Sequence, residues 1–427
     1  MDNNRKIAYL VLMDIEDKKA YSHLALNYHL AVGKPSSEAF VRKLVYGVLE
    51  NKIYLDYIID QFLDSPSSKL QSSERTILRM GIYQLDNMDS VPDYAAVKES
   101  VTLAKRYAKG RDGMVNGILR NYVREKGRVV FPDKETDIVG YLSVMHSYAP
   151  WIVSLWLGEY GKETTEELMI AGNKTPDLMI RHNRLRTTKS ELHRRLEAKG
   201  YEVSVGRLAK DALHVKGSAL LRDNLYQDGM FSVQDESSMV VVSILDPQPG
   251  ETIVDVCAAP GGKAVYIAEC MDNRGIVYAQ DLYKKKIELI KKEAERVGVN
   301  ILEPRTWDAT RTDGSLEEIA DRVLVDAPCS GLGVVRRKPE IKYKEWDSEI
   351  DKLPDIQLAI LSASSRYVKR GGILVYSTCT INPAENQKVV NAFLKDHSYF
   401  VVEDSIQLMP HINDTDGFFI CRMRRND

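Results

Sequence analysis

The chain has 427 residues, 44% hydrophobic and 28% charged, enough to bury a large core and to divide into two or three domains. A formal net charge of -2 excludes a globally basic nucleic-acid binder, so any RNA must be gripped by local patches. No apolar run reaches the roughly 20 residues of a membrane span, and no signal-peptide layout opens the chain. Five cysteines without a CxxC pair suit free thiols in a reducing cytosol better than a disulfide framework or a metal site.

Residues 1–130 read as all-helical. Phe40, Val41, Leu44, Val45, Val48 and Leu49 recur as pairs four apart, one apolar helix face. Further helices are expected at 5–18, 20–32, 52–63, 73–86, 94–107 and 112–125. The last turns Val115, Ile118, Leu119, Tyr122 and Val123 inward and Asn116, Arg120 and Arg124 outward. With Lys98, Lys105, Arg106, Lys109 and Arg111 these form a candidate phosphate-binding surface, solvated helix faces being the plain alternative. Residues 127–137 read as a linker.

Residues 141–235 form a small mixed α/β domain, with helices near 150–160 and 164–173, then a strand, helix and strand at 177–182, 190–199 and 201–205. Arg181, Arg184, Arg186, Lys189, Arg194 and Arg195 crowd there and suggest an RNA-contacting face.

Residues 236–427 alternate strands and helices, the pattern of a doubly wound, Rossmann-like parallel sheet. Strands are expected at 252–256, 275–280, 322–326 and 372–376, with an amphipathic helix at 284–297. After the first strand, Cys257, Ala258, Ala259, Pro260, Gly261, Gly262 and Lys263 make a small-residue turn that lets a ligand approach the backbone. It is not GxGxxG, which argues against a dinucleotide. Asp281 closes the second strand near the offset of roughly 20 residues at which an acid takes ribose hydroxyls. Asp308 follows where an adenine amino group would lie, and Asp326 closes the next strand. A strand-end aspartate is often only a helix cap, but in chain order these residues reinforce one another.

Two segments, RVLVDAPCSG at 322–331 and GGILVYSTCTIN at 371–382, each run an apolar strand into a cysteine. Cys329 and Cys379 thus fall just past the carboxyl ends of buried strands, where open α/β sheets bind ligands. Cys257, Cys270 and Cys421 read as small, packed thiols.

DVCAAPGGK, DAPCSGLGVVRRKPEIKY, STCTINPAEN and DGFFICRM resemble the motifs of RNA (cytosine-5) methyltransferases. The helical region with FVRKLVYGVLE resembles the NusB-like domain of the bacterial Sun/Fmu branch, the 16S rRNA methyltransferase B family. Two departures are Ala264, where a hydroxyl residue commonly follows GGK, and Thr380, where Ser often follows the second cysteine. The resemblance implies an RNA-binding NusB-like domain, a Rossmann-like catalytic domain, S-adenosyl-L-methionine held by residues 257–263, Asp281, Asp308 and Asp326, and a cytoplasmic enzyme acting on RNA of the small ribosomal subunit, without metal or membrane.

It also implies that Cys379 is the nucleophile and Cys329 the helper in product release. Cytosine C5 is a poor nucleophile until a thiolate adds to C6, so one cysteine is required. Asn382-Pro383-Ala384-Glu385 reads as an N-cap, a first-turn proline and an N3 glutamate, so a helix dipole is expected beside Cys379 to favour thiolate. Asp326 is expected on the cytosine N3 and amino edge. Lys263 either neutralises developing charge there or simply opens its helix. Arg336, Arg337 and Lys338 form a basic run suited to phosphates. Competing readings are a tRNA- or DNA-directed cytosine-5 methyltransferase, a non-catalytic NusB-like RNA-binding factor, and a redox pair of Cys329 with Cys379. Oligomeric state is left open.

Overall fold

In the computed structural model the amino-terminal periodicity becomes helices α1 (Asn3–Lys18), α2 (Ser22–Gly33), α3 (Glu38–Glu50), α4 (Lys52–Gln61), α5 (Ser72–Asn87), α6 (Asp93–Tyr107), α7 (Asp112–Arg124), α8 (Ile138–His146) and α9 (Pro150–Gly172). The structure describes residues 1–63, 70–217, 220–346 and 348–426. Helix α3 buries Val41, Leu44, Val45, Val48 and Leu49, the face its spacing demands, and Ser37 caps it by accepting the Phe40 N–H at 3.2 Å. Helix α5 carries Ile77, Leu78, Met80 and Ile82 through the core. Helix α9 breaks at Gly161 (φ 78°), matching the gap expected between helices at 150–160 and 164–173.

This first unit comprises Met1–Asn173 and a returning segment, Arg337–Glu345. The mixed region expected over 141–235 is therefore divided, because α8 packs on α4. The supposed linker does not separate them either. Phe131 stacks on Tyr54 and Tyr57, and Val130 C=O accepts the Tyr57 hydroxyl at 2.8 Å, pinning the strap to α4. In the returning segment Lys342 is buried and donates to Glu50 O (2.7 Å), Asn173 Oδ1 (2.6 Å) and His146 O (3.2 Å).

The second unit, Lys174–Arg336 and Trp346–Asp427, begins with β1 (Met179–His182), α10 (Lys189–Ala198), β2 (Glu202–Val205), β3 (Ala212–Lys216), α11 (Asn224–Gln227) and β4 (Phe231–Val233). Its small sheet is antiparallel, ordered β2-β3-β1-β4. There follow α12 (Glu236–Leu245), β5 (Thr252–Asp255), α13 (Gly262–Cys270), β6 (Ile276–Asp281), α14 (Lys284–Val297), β7 (Leu302–Thr306), β8 (Ala320–Asp326), α15 (Ser348–Ser365), β9 (Val368–Thr378), α16 (Gln387–Asp396), β10 (Phe400–Leu408), α17 (Pro410–Asn413) and β11 (Phe418–Arg425).

The large sheet is ordered β10-β11-β9-β8-β5-β6-β7, with all strands in one direction except β11, which runs antiparallel between β9 and β10. Val254, Val323, Leu324, Val325, Leu374 and Val375 are fully buried, as expected of parallel strands covered on both faces. The chain runs outward from β5 to β7 and restarts on the other side of β5 at β8. That reversal opens a crevice at the carboxyl ends of β5 and β8, where doubly wound sheets bind ligands.

Candidate active site

Asp255 ends β5 at the reversal, and the turn to α13 follows it. Ala258 N–H donates to Gln280 O and Gly261 N–H to Ala258 O, both at 2.8 Å, and the Ala259–Pro260 bond is cis. Gly261 has φ 112°, and a Cβ there would lie 3.2 Å from the Ile290 Cα, so glycine alone fits without strain. At Gly262 the nearest atom to an added Cβ is Gln234 Nε2 at 3.8 Å, leaving the backbone approachable. Such a cradle fits a ligand laid along the turn. Asp281 is almost fully buried, accepts the Tyr283 N–H at 3.1 Å and faces Lys286 Nζ at 3.5 Å. Asp308 lies just past β7 and is more exposed. Hydrogen bonds from the Thr310 hydroxyl (2.7 Å) and N–H (3.0 Å) hold its carboxyl below the usual range.

Asp255 and Gln280 are completely buried, and none of their side-chain oxygens and nitrogens has a hydrogen-bond partner of normal geometry among the described residues. Burial, then the charge of Asp326, pushes the Asp255 carboxyl up to about 7, against opposing pulls from Lys263 and the nearby Cys257 N–H.

Beside it, Lys263 Nζ donates to Asp326 Oδ2 at 2.8 Å and lies 5.1 Å from the Phe418 ring centre, while the Ser377 hydroxyl donates to Asp326 Oδ1 at 2.9 Å. Burial pulls the Lys263 ammonium down, but Asp326, with Cys379 and Asp255 adding, holds it above its ordinary value. It therefore stays charged at neutral pH.

The Cys329 and Cys379 sulfurs lie 3.1 Å apart, with neither in a disulfide. The hydrogen bond to Cys379, reinforced by burial, raises the Cys329 thiol well above its ordinary value. Cys329 thus keeps its proton at neutral pH, and either sulfur can donate in the contact between them. Behind Cys379, Gly333 N–H donates to Cys379 O at 3.0 Å, and an added Cβ on Gly333 would come within 1.9 Å of Gly417 O. Two glycines must cross there for the loop to close. The structure therefore brings Lys263, Asp326, Cys329 and Cys379 into one cluster, with Asp281 and the turn at the neighbouring strand ends.

Three expectations need correction. Helix α16 begins only at Gln387, because Asn386 (φ -112°, ψ -104°) interrupts the chain, so no helix dipole starts just beyond Cys379. Asn382 instead accepts the Ala384 N–H at 3.1 Å in a tight turn, and Glu385 is buried rather than capping. Arg336 is not a phosphate contact: its guanidinium is buried and donates to Asp416 at 2.8 Å, with Asp235 at 3.7 Å. Arg181 does not face RNA. It is fully buried, paired with Glu269 at 2.7 Å, stacked on Tyr266, and bonded to Gln234 and, at 3.3 Å, to the Gly262 carbonyl of the turn. In the same cluster Lys189 donates to Lys210 O, and exposed Arg194 and Arg195 pair with Glu191.

Several residues of the neighbourhood escaped sequence reasoning: Gln234, Glu269, Gln280, Gln357 and the buried role of Glu385. Apart from Glu385, which lies inside the STCTINPAEN motif, none carries a local signal.

A small-residue turn at the reversal of a Rossmann-like sheet, with a lysine–carboxylate pair beside it, is a ligand site of the doubly wound class, and the matches that follow make the protein a methyltransferase whose cofactor is S-adenosylmethionine. Models described as 16S rRNA methyltransferase RsmB/F, NusB family, and Methyltr_RsmF/B-like, ferredoxin-like domain match residues 242–424, 2–124 and 148–220. Over 99% of its length the chain is 40% identical to 98% of the probable ribosomal RNA small subunit methyltransferase B of Bacillus subtilis. It is 34% identical, over the full length of both, to the protein of that name from Synechocystis. Its fold is similar to the crystal structure of PH0851, with TM-score 0.85, 26% identity and 98% of each chain covered. The chain belongs to the ribosomal RNA small subunit methyltransferase B family and is an RNA methyltransferase.

Proposed function

We propose that the enzyme methylates C5 of a cytosine in small-subunit ribosomal RNA through a transient bond between the Cys379 sulfur and C6 of the base. The observation that carries this is the 3.1 Å approach of the Cys329 and Cys379 sulfurs beside the Lys263–Asp326 pair. The target base must leave its stack to reach these half-buried thiols.

Cys379 thiolate adds to C6, and the electron pair of the 5,6 double bond shifts toward C5 and the N3 edge. Asp326, oriented by Lys263 and Ser377, holds that edge, and the Lys263 ammonium offsets the negative charge that builds there. S-adenosylmethionine, when bound along residues 257–263 with Asp281 on its ribose and Asp308 toward its adenine, supplies the methyl group. Loss of the C5 proton to a solvent base then returns its bonding pair to the ring, restores the 5,6 double bond and expels Cys379 as thiolate. Cys329 meets the departing sulfur with its S–H and stabilises it.

In the first unit, a groove of about 540 Å³ between α6 and α7 is lined by Tyr94, Lys98, Lys105, Asn116 and Arg120, and is our candidate for holding RNA phosphates in a cytoplasmic enzyme.

The test is a pair of alanine variants assayed on small-subunit RNA. Cys379→Ala should abolish methylation and any adduct, whereas Cys329→Ala should accumulate a protein–RNA species that survives denaturing electrophoresis. An adduct in the Cys379 variant instead would reverse the roles. Bisulfite mapping of cellular RNA with and without the protein would locate the cytosine, and an unchanged map would sink the assignment.

A further inference from the structure

The two sulfurs belong to separate loops, one after β8 and one after β9, yet stand 3.1 Å apart. Thiols on independent loops would not keep that spacing unless the loops were tied together. Both backbone groups flanking Cys329 are held. Pro328 C=O accepts from Gln357 Nε2 at 2.9 Å, and Ser330 N–H donates to Glu385 Oε2 at 2.8 Å. On the Cys379 side, Asn382 Nδ2 donates to Glu385 Oε1 at 3.0 Å, and Gln357 Nε2 also reaches Glu385 Oε2 at 3.0 Å. One carboxylate thus spans both loops, with Gln357 of α15 behind it.

Glu385 and Gln357 are both completely buried. Burying a carboxylate is costly, and here its partners are neutral donors: among the described residues no lysine or arginine pairs with Glu385. Only an acceptor-only group takes Ser330 N–H, Gln357 and Asn382 at once. Its charge also favours the protonated form of the Cys329 thiol.

We propose that Glu385 is a positioning residue for product release: by bridging Ser330 and Asn382 it keeps the Cys329 S–H aimed at the Cys379 sulfur. This rests on the cysteine roles given above. Glu385→Gln changes one oxygen to an NH2, so a donor must face Ser330 N–H and Gln357 or face Asn382 Nδ2, and the bridge opens.

The experiment compares wild type, Glu385→Gln, Gln357→Leu and Cys329→Ala by turnover, S-adenosylmethionine affinity, and decay of the protein–RNA adduct on denaturing gels. Glu385→Gln should slow adduct resolution about 10- to 100-fold, as expected for losing a hydrogen bond to a charged group, and accumulate adduct with unchanged affinity for S-adenosylmethionine. Gln357→Leu, which spares the bonds to Ser330 and Asn382, should do the same more weakly and serves if the glutamate variant fails to fold. Adduct resolved at the wild-type rate by folded variants, or adduct formation lost in parallel with turnover, overturns the proposal. Should Cys329→Ala accumulate no adduct, the cysteine roles have failed instead. The bridge is then judged by diamide, which takes two electrons from the paired thiols to form a Cys329–Cys379 disulfide and is itself reduced to the hydrazine. Loss of two thiols should be rapid in the wild type and slowed in Glu385→Gln, and equal rates would dismiss the bridge altogether.

Discussion

Two charge clusters, one in each unit, are built on opposite plans. In the helical unit Arg79 makes two 2.7 Å bonds to Asp56, Glu16 takes Lys52 at 2.8 Å and Arg79 at 3.3 Å, and Arg75 reaches Asp56 at 3.1 Å. Each carboxylate there meets at least two cations. At the head of the large sheet, Asp255 is more deeply buried and has no hydrogen-bond partner of normal geometry among the described residues, nor has the Gln280 amide on the next strand. Buried polar groups are normally satisfied, so a closed cluster fixes packing, whereas an open one marks where a protein tolerates cost for its chemistry.

Opening the closed cluster should have the largest effect on stability. Arg79→Met leaves half-buried Asp56 with Arg75 alone and Glu16 with Lys52 alone, and should cost about 3 kcal/mol in urea unfolding. Methyl transfer below the melting range should be retained. A loss under about 1 kcal/mol would place the cluster with ordinary surface ion pairs and remove the contrast.

The same contrast explains what was legible from residues alone. Strands β5, β8 and β9 are central and covered on both faces, so they read as unbroken apolar runs, and the cysteines after β8 and β9 could be picked out with them. Edge strands gave no such signal. Strand β7 carries Pro304, and β10 spells FVVEDSIQL with most side chains exposed. Partners distant in sequence were equally hidden. Arg181 sits in a basic run, and nothing local shows that Glu269, 88 residues on, neutralises it. Asn-Pro-Ala-Glu suited a helix cap and a buried turn alike, and only the backbone at Asn386 decides between them. The turn at 257–263 was legible because it depends on backbone and small residues within one short stretch.

Asp255 offers a sharper cut through the open cluster. Its folded value of about 7 stands above the ordinary 3.8, so between these limits the unfolded chain has released a proton that the folded chain retains. Stability from this group is therefore complete below pH 4 and declines as pH rises toward 7, at about 1.4 kcal/mol per unit. In the cofactor-free protein, Asp255→Asn should lack that slope. Urea midpoints should show the variant gaining on the wild type from pH 5 to pH 7. Parallel profiles would mean that Asp255 is stabilised as an anion, and the cluster would count as closed.

The smallest effect is expected at the surface, where charge is neither closed nor orphaned but screened by water. Arg120 lines the α6–α7 groove with Lys98 and Lys105 and is exposed, so its removal should hardly touch folding. Its proposed partner is a phosphate, whose affinity comes largely from counterion release and depends on the number of contacts rather than on a fixed geometry. Arg120→Ala should therefore weaken RNA binding about equally across sequences and lower the slope of log affinity against log salt by about 0.7 to 0.9, one phosphate's share. An unchanged slope would move the RNA off this groove, since a lost contact cannot leave the counterion count intact.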